Sequence, residues 1–431
     1  MRRLLPVLVA VALAAGCAGS PGPDESPDPT ASPTPSPRPT SIAWIGPDVL
    51  DDASTVPLLA TAVAGPGGFV AQRVSHGLWE EGPTTALYFS TDGESWEQTF
   101  ESPGLEVELA AGDNGYVAVG ARYRPPAGGD LSLAPWAAWS ADGRTWETAA
   151  VTLPADDATE AALGTGGGPV IVPATVDPPV VGGTWLSDVV ATADGFVALG
   201  HTQQAGRLNI LWTSADGQAW SPLPEDPFGE EVGVRGLTAG AGYVAHGHLE
   251  TDGDYPGALV AWHSDDAVTW ELAAAGDGFE DEFGAGPFVG GVVALGDGFV
   301  MVGTEPTGPP LAWASADGSA WGEPVRLPSL SDTSAQVFAV AASPHFVVAV
   351  GREVVAGDDL APADQYPGIW VSTDGASWTQ ESPEGLRGDP TEDGISVDSV
   401  AWTGEHWVAL GSVWDYPDEI PTAVAWSGDE S

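Results

Sequence analysis

The chain has 431 residues, 57 of them Gly and 39 Pro, with a single Cys and a formal net charge of −49. A lone cysteine excludes an internal disulfide framework. So negative a charge repels phosphate backbones and argues against nucleic-acid partners.

Arg2 and Arg3 precede an apolar run, residues 4–13, that is too short to cross a bilayer as a helix and is followed by small residues. This is the pattern of an export signal. Residues 1–16 are read as that signal, 17–40 as a modified cysteine with a Pro/Ser/Thr-rich tether, and 41–431 as the folded part. The run Leu13-Ala14-Ala15-Gly16-Cys17 resembles the bacterial lipobox, with Leu13 one place further from the cysteine than the lipobox prefers. That resemblance implies cleavage before Cys17, a lipid on its sulfur and attachment to the cell membrane on its extracytoplasmic face. Residues 18–40 hold almost no apolar side chain and many prolines, so they bury too little surface to offset their ordering entropy. At ~3.1 Å per residue such a stretch reaches about 70 Å. No later run is long and apolar enough to span a membrane.

Two short units alternate through the rest of the chain. The first is S-x-D-G-x-x-W: Ser90 to Trp96, Ser140 to Trp146, Ser214 to Trp220, Ser264 to Trp270, Ser315 to Trp321 and Ser372 to Trp378, with Ala267 in place of Gly in the fourth copy. An aromatic residue stands just upstream of each: Tyr88, Trp139, Trp212, Trp262, Trp313 and Trp370. The second unit reads Gly68-Phe69-Val70-Ala71 and returns at Tyr116, Phe196, Tyr243, Phe299, Phe346 and Trp407. Repeats fall about every 50 residues, apart from one insertion at about 154–184.

Each unit has a physical reading. A Gly before a short apolar run marks a hairpin turn into a buried strand. In the other unit Asp accepts turn N–H groups, Gly permits positive φ, and Trp starts the next strand. Each repeat therefore predicts four antiparallel strands, A and B around one hairpin and C and D around the other. Radial repetition of such units is a β-propeller, here of seven blades. The last repeat lacks its fourth strand, because the box beginning at Ser427-Gly428-Asp429 stops short of a Trp. Residues 42–45, an apolar strand that precedes the first repeat, are expected to supply it and close the ring.

The first unit resembles the Asp-box (BNR) repeat of sialidases and related exported propellers, shortened by one residue between Asp and Trp; the resemblance covers about residues 56–429. It implies a sialidase-like propeller whose Asp-box turns lie opposite the functional face. That face is then built from the B–C and D–A loops. The B–C loops are expected to carry Arg73, His76, Trp79, Arg122, Tyr123, Arg124, His201, Arg207, His248, Tyr255, Arg352, Tyr366, Trp414 and Tyr416. Arg73, Trp79, Arg122, Tyr123, Arg207, Tyr255, Arg352, Tyr366, Trp414 and Tyr416 form the candidate ligand-binding set, with Cys17 the lipidation site. Arg offers bidentate contacts, and Trp and Tyr offer flat apolar area for sugar rings or partner pockets.

Two functions fit this pattern. One is a surface-anchored binding or scaffold propeller for an envelope glycan or protein. The other is a glycan hydrolase of exo-sialidase type, for which Arg73, Arg207, Arg352, Tyr366 and Tyr416 have suitable side chains, although the R-I-P motif that the family places near its first strand is missing. No catalytic residue, resident metal or cofactor is assigned. His201 and His248 read as solvated loop histidines, and the acidic runs 250–254 and 277–282 offer hard oxygens for Ca²⁺ without completing an EF-hand pattern. A monomer is expected.

Overall fold

The computed structural model describes residues 41–430 apart from 50–56, 77–82, 94, 125–130, 155–179, 203–208, 230–231, 250–256, 274–286, 306–307, 330–334, 356–363, 382–392, 403 and 416–420. The described chain is built from strands and turns, with no helix among the described residues. Strand β1 (Ile42–Val49) is followed by a meander of β2 (Pro57–Gly65), β3 (Gly68–His76), β4 (Pro83–Ser90) and β5 (Glu97–Pro103). The second meander is β6 (Leu105–Gly112), β7 (Gly115–Arg124), β8 (Leu131–Ser140) and the short β9 (Glu147–Thr148), after which comes β10 (Ala150–Val151). The third is β11 (Val180–Thr192), β12 (Gly195–Thr202), β13 (Asn209–Ser214) and β14 (Ala219–Pro222).

The pattern continues with β15 (Val232–Ala239), β16 (Tyr243–Leu249), β17 (Leu259–Ser264) and β18 (Glu271–Leu272). Next come β19 (Phe288–Leu295), β20 (Gly298–Thr304), β21 (Pro310–Ser315) and β22 (Val325–Arg326), then β23 (Ala335–Ala342), β24 (Val347–Val355), β25 (Asp364–Ser372) and β26 (Trp378–Glu381). The last meander has three strands of its own, β27 (Asp393–Trp402), β28 (Trp407–Asp415) and β29 (Pro421–Glu430). Its fourth is β1, which pairs antiparallel with β29 from Ile42↔Glu430 to Val49↔Val424. The expected N-terminal closure is therefore present as backbone pairing.

The first strands of successive meanders touch in a closed cycle: β2, β6, β11, β15, β19, β23, β27 and back to β2. Neighbouring meanders pack on one another through apolar seams, as a propeller requires, with side-chain hydrogen bonds across them such as Ala62 N–H to Ser399 Oγ (3.1 Å). One expectation is corrected. Five of the sheets are separate and four-stranded, but the second and third meanders are joined in one nine-stranded sheet. The join has two parts. Strand β8 pairs parallel with the start of β11 (Leu131↔Val180, Leu133↔Gly183), and β10 adds a parallel strand outside β14.

The two sequence units account for the core. Trp212, Trp313, Trp370 and Trp426 on the C strands, Phe69, Tyr116, Phe299 and Trp407 on the B strands, and Phe346 just before β24 are essentially fully buried. The turns form as read. At the first, Gly93 N–H donates to Ser90 Oγ (2.8 Å), Ser95 N–H to Asp92 Oδ1 (3.0 Å), and the Trp96 indole to the Gly93 carbonyl (3.1 Å). Ala267 closes the fourth copy at φ +58°, the one positive φ of a non-glycine among the described residues.

Candidate functional site

The two rims of the propeller differ in chemistry. On the turn rim the aspartate of each turn accepts from the backbone N–H groups of its own turn. Thr145 and Arg144 N–H hold Asp142 below the usual carboxylate range, and Thr269 and Val268 N–H do the same for Asp266. Arg144 lies there too, 3.9 Å over the Phe89 ring and 3.7 Å from Glu97.

The opposite rim holds the ends of the B strands and the starts of the A strands. These strands run further than their polar residues suggest, which corrects the expectation that the residues lie in loops. Arg73 is within β3, opposite Ala86, and only 8% exposed, with its guanidinium 5.8 Å from the Tyr88 ring. Tyr123 is within β7, 8% exposed, and donates its hydroxyl to Glu106 Oε2 at 2.9 Å. Burial, then the Glu106 charge, raises its pKa. Half-buried Arg122 donates to Ser102 Oγ (3.5 Å) and lies 6.0 Å from the Trp136 ring.

Arg352, on β24, donates Nε–H to Gln336 Oε1 at 2.9 Å and sits 5.5 Å over the Phe338 ring. Half-buried Tyr366 stands directly across from Glu353 in the β24–β25 register. Trp414 is on β28, paired with Gly394 and Pro421; its side chain lies outside the described residues, as do Cys17, Trp79, Arg207, Tyr255 and Tyr416 altogether. The acidic runs 250–254 and 277–282 are likewise outside. The histidine expectation also changes. His201 is on β12, 5.4 Å from the Trp185 ring, and His248 is on β16, 7% exposed, its Nε2–H donating to the Pro287 carbonyl at 2.8 Å. Neither is a loop residue.

A feature of the inner strands has no counterpart in the sequence reading. Six of them, β2, β11, β15, β19, β23 and β27, shift register by one residue near the middle, and β6 does not. A bulge of this kind re-aims one side chain. The inserted residues are Ala60, Ser187, Arg235, Gly290, Phe338 and Asp398. Around them gather polar groups that are costly to bury. Asp398 accepts from Ser396 Oγ (2.8 Å) and Ser412 Oγ (3.3 Å); burial lifts its carboxyl to about 6, against those bonds and the Arg352 charge.

Asp188, next to a bulge on β11, accepts from the Leu237 N–H of the next meander and the Val189 N–H, both at 2.7 Å. Burial still lifts it to about 7. Ser399 holds the same post-bulge position on β27 and accepts from Ala62 N–H at 3.1 Å, so a hydroxyl makes the seam bond there that a carboxyl makes at 188. His246 packs over Gly236, its Nε2 3.1 Å from where a Cβ would stand and Asp188 Oδ2 3.2 Å from the same point. Burial, with the His248 and Arg235 charges, lowers His246 to about 3. Asp188, Arg235 and Asp398 are charged residues in the middle of inner strands, and a charge at that place is the signal by which they are found in a sequence. Among the described residues no group of three or more His, Cys, Asp or Glu is placed to hold a metal ion.

No family profile matches the chain, and no curated protein matches it. Solved structures similar to it include a Trypanosoma rangeli sialidase in complex with sialic acid, at 13% identity and TM-score 0.42, covering 90% of this chain and 57% of that one. The chain thus spans less than two thirds of that sialidase. The subtype N11 neuraminidase-like protein from a flat-faced bat isolate is similar at 10% identity and TM-score 0.43, covering 91% and 96% of the two chains. A Penicillium chrysogenum α-L-arabinanase complexed with arabinobiose is similar at 11% identity and TM-score 0.35, covering 56% and 92%.

Proposed function

We propose that this is an exported, lipid-anchored protein whose propeller is a binding or scaffold module for an envelope glycan or protein, held by Cys17 and its tether on the extracytoplasmic face. The nine-stranded sheet is best counted as two blades, since its meanders take separate places in the cycle of inner strands; the ring then has seven Asp-box-type blades. What supports a binding role is the division of labour between the rims. On the turn rim the aspartates of the six turns are engaged by their own backbone N–H groups. The B-strand rim brings Arg73, Arg122, Tyr123 and Arg352 to blades one, two and six, beside the aromatic rings of Tyr88, Trp136 and Phe338. Arg with aromatic surface is the chemistry that dominates recognition interfaces.

Screening the purified protein on a glycan array and against envelope preparations tests this reading. Trp79→Ala and Trp414→Ala should keep wild-type melting and weaken retention at least tenfold, a loss of about 1.4 kcal/mol. Unchanged retention overturns the binding face. The anchor is tested by Triton X-114 partition: wild type enters the detergent phase, and Cys17→Ala does not.

A second reading, hydrolysis of a glycan, draws on one observation, the cross-strand pair Tyr366–Glu353. A Tyr beside a Glu is the nucleophile pair of the sialidase type, the family resembled in sequence. Turnover of a fluorogenic sialoside that Tyr366→Phe abolishes would establish it; no turnover by wild type would remove it.

A further inference from the structure

Two of the seams carry the same main-chain bond in different chemistry. Ser399, just after its bulge, shows what the seam asks of a side chain there: one acceptor for an N–H of the next inner strand, which a hydroxyl supplies. Asp188, at the same place on β11, accepts from Leu237 N–H with a carboxyl instead. It is half-buried as a residue, but its two oxygens are turned onto the Val189 and Leu237 N–H groups. A hydroxyl would serve the bond equally; what the carboxyl adds is a proton that can leave.

The fourth meander meets it with a second titratable group. Gly236 stands directly across from His246, and its missing side chain leaves the space that the ring fills. A Cβ at 236 would stand 2.4 Å from His246 Cε1, 3.1 Å from its Nε2 and 3.2 Å from Asp188 Oδ2. Carboxyl and imidazole therefore reach one spot from the two sides of the seam, with no hydrogen bond or ion pair between them. His246 is 8% exposed, and its Nδ1 is buried with no partner among the described residues. Burial keeps the proton on Asp188 and the His246 ring uncharged. The strands packed here also carry His201 on β12, Arg235 on β15, His248 on β16, His263 on β17, and Glu106, Glu108, Arg122 and Tyr123 on β6 and β7. None of these pairs with Asp188 or His246; Arg235 is exposed, and His248 is tied to the Pro287 carbonyl.

We propose that Asp188 and His246 form a proton-exchange latch on the seam between the third and fourth meanders. With the seam closed, the proton is on the carboxyl and the ring is neutral. When the seam opens to water, the Asp188 O–H bond breaks, its electron pair stays on the carboxylate, and an N–H bond forms on His246. An ion pair replaces two neutral groups, and no proton enters or leaves the protein. Opening is then independent of pH between the ordinary carboxyl and imidazole values, 3.8 and 6.5. Either group alone would make the seam a pH switch, in opposite senses. A lone buried carboxyl opens it more readily as pH rises, and a lone buried imidazole as pH falls, each by up to about tenfold per pH unit. Together they cancel.

Hydrogen exchange of the Leu237 amide in the full chain, from about pH 4.5 to about pH 6.5, reads this opening. Rates are corrected for the intrinsic pH dependence of exchange and referred to the Val337 amide, which bonds to Thr304 Oγ1 across another seam. In wild type the opening constant should change by less than about threefold over that range. In Asp188→Asn, which keeps an acceptor for Leu237, it should rise about tenfold per unit toward acid. In His246→Gln, which copies the buried Gln72 at the corresponding place of the first meander, it should rise about tenfold per unit toward alkali. The double variant should be flat again. If His246→Gln does not fold, His246→Leu carries the same expectation, since Leu199 and Leu410 hold that place in the third and last meanders. A wild-type slope near tenfold per unit in either direction overturns the latch, as do single variants that are both flat or that slope the same way.

Discussion

Gly93, in the first S-x-D-G-x-x-W turn, lies against Val408 of the last meander: a Cβ on Gly93 would stand 2.5 Å from Val408 Cγ2. The relation repeats around the ring. Gly217 meets Val117 at 2.5 Å and Gly318 meets Val244 at 2.7 Å, each valine coming from the hairpin unit of the preceding meander. The two sequence units alternate because the glycine of one is the floor on which the valine of the other rests. At 93 the demand is double, because φ is +77° as well.

Gly93→Ala should therefore destabilise the protein by about 2–5 kcal/mol, the left-handed conformation contributing about 1–2 kcal/mol and the overpacked contact about 1–3 kcal/mol. Urea unfolding of the two proteins measures this. A change below about 0.5 kcal/mol would mean that the seam relaxes freely.

Ala267→Gly is the converse. Relief of a φ of +58° favours glycine, while the wider unfolded ensemble and the loss of a methyl packed with Phe228 and Trp262 oppose it. These terms are each about 1 kcal/mol, so the variant should stay within about 1 kcal/mol of wild type. A loss as large as that of Gly93→Ala would show that the methyl is an essential part of the seam.

Asp188 makes stability depend on pH. Its carboxyl is lifted from the ordinary value to about 7 by burial, so the folded state keeps a proton that the unfolded chain releases. Stability should fall as pH rises from about 4 to about 7 and then level off, with Asp398 adding the same sign up to about 6. His246, lowered to about 3, acts in the opposite sense: stability drops as pH falls below the ordinary histidine value. The difference between wild type and Asp188→Asn isolates the first effect. The amide can still accept from Leu237 N–H, so the variant should match wild type near pH 4 and exceed it by about 2–4 kcal/mol near pH 8, at about 1.4 kcal/mol per tenfold change in proton affinity. Parallel stability curves would show that Asp188 is hydrated.

Removing residues 41–49 takes away β1 and the buried Ile42, which packs with Val397, Trp407 and Trp426. A lost apolar side chain is worth about 1.5–3 kcal/mol, and the backbone pairing with β29 is lost as well. The truncated chain should melt many degrees lower; melting within a degree or two of the intact protein would show that β1 is dispensable. Trp321→Ala, a deletion at a 5% exposed position, should by itself lose about 3–5 kcal/mol.

What could be read in the sequence followed from local chemistry. Asp-Gly before Trp and Gly before an aromatic each mark a turn that one or two residues dictate, so the hairpins, their order and the closing strand were legible. A bulge is a relation between two strands, and the residues it re-aims, from Gly290 to Phe338 and Arg235, share no chemistry. Arg73, Tyr123 and His248 were misplaced into loops because they are polar. Cross-strand partners such as Ala86, Leu133 and Leu259 carry the ladder through them. The parallel join at Val180↔Leu131 rests on a few backbone pairs, for which no side chain is required.

The β1–β29 pairing also sets an order of events. β1 is made before β29 and before every strand between them, so as the chain emerges β1 remains without its native neighbour until the other meanders have been made. Until then it is an unpaired edge carrying Ile42, Trp44 and Ile45, a form open to strand exchange with another copy. A chain held back before β29 emerges should therefore be the one most prone to associate with its own kind, and release of Pro421–Glu430 should end that hazard in a single step.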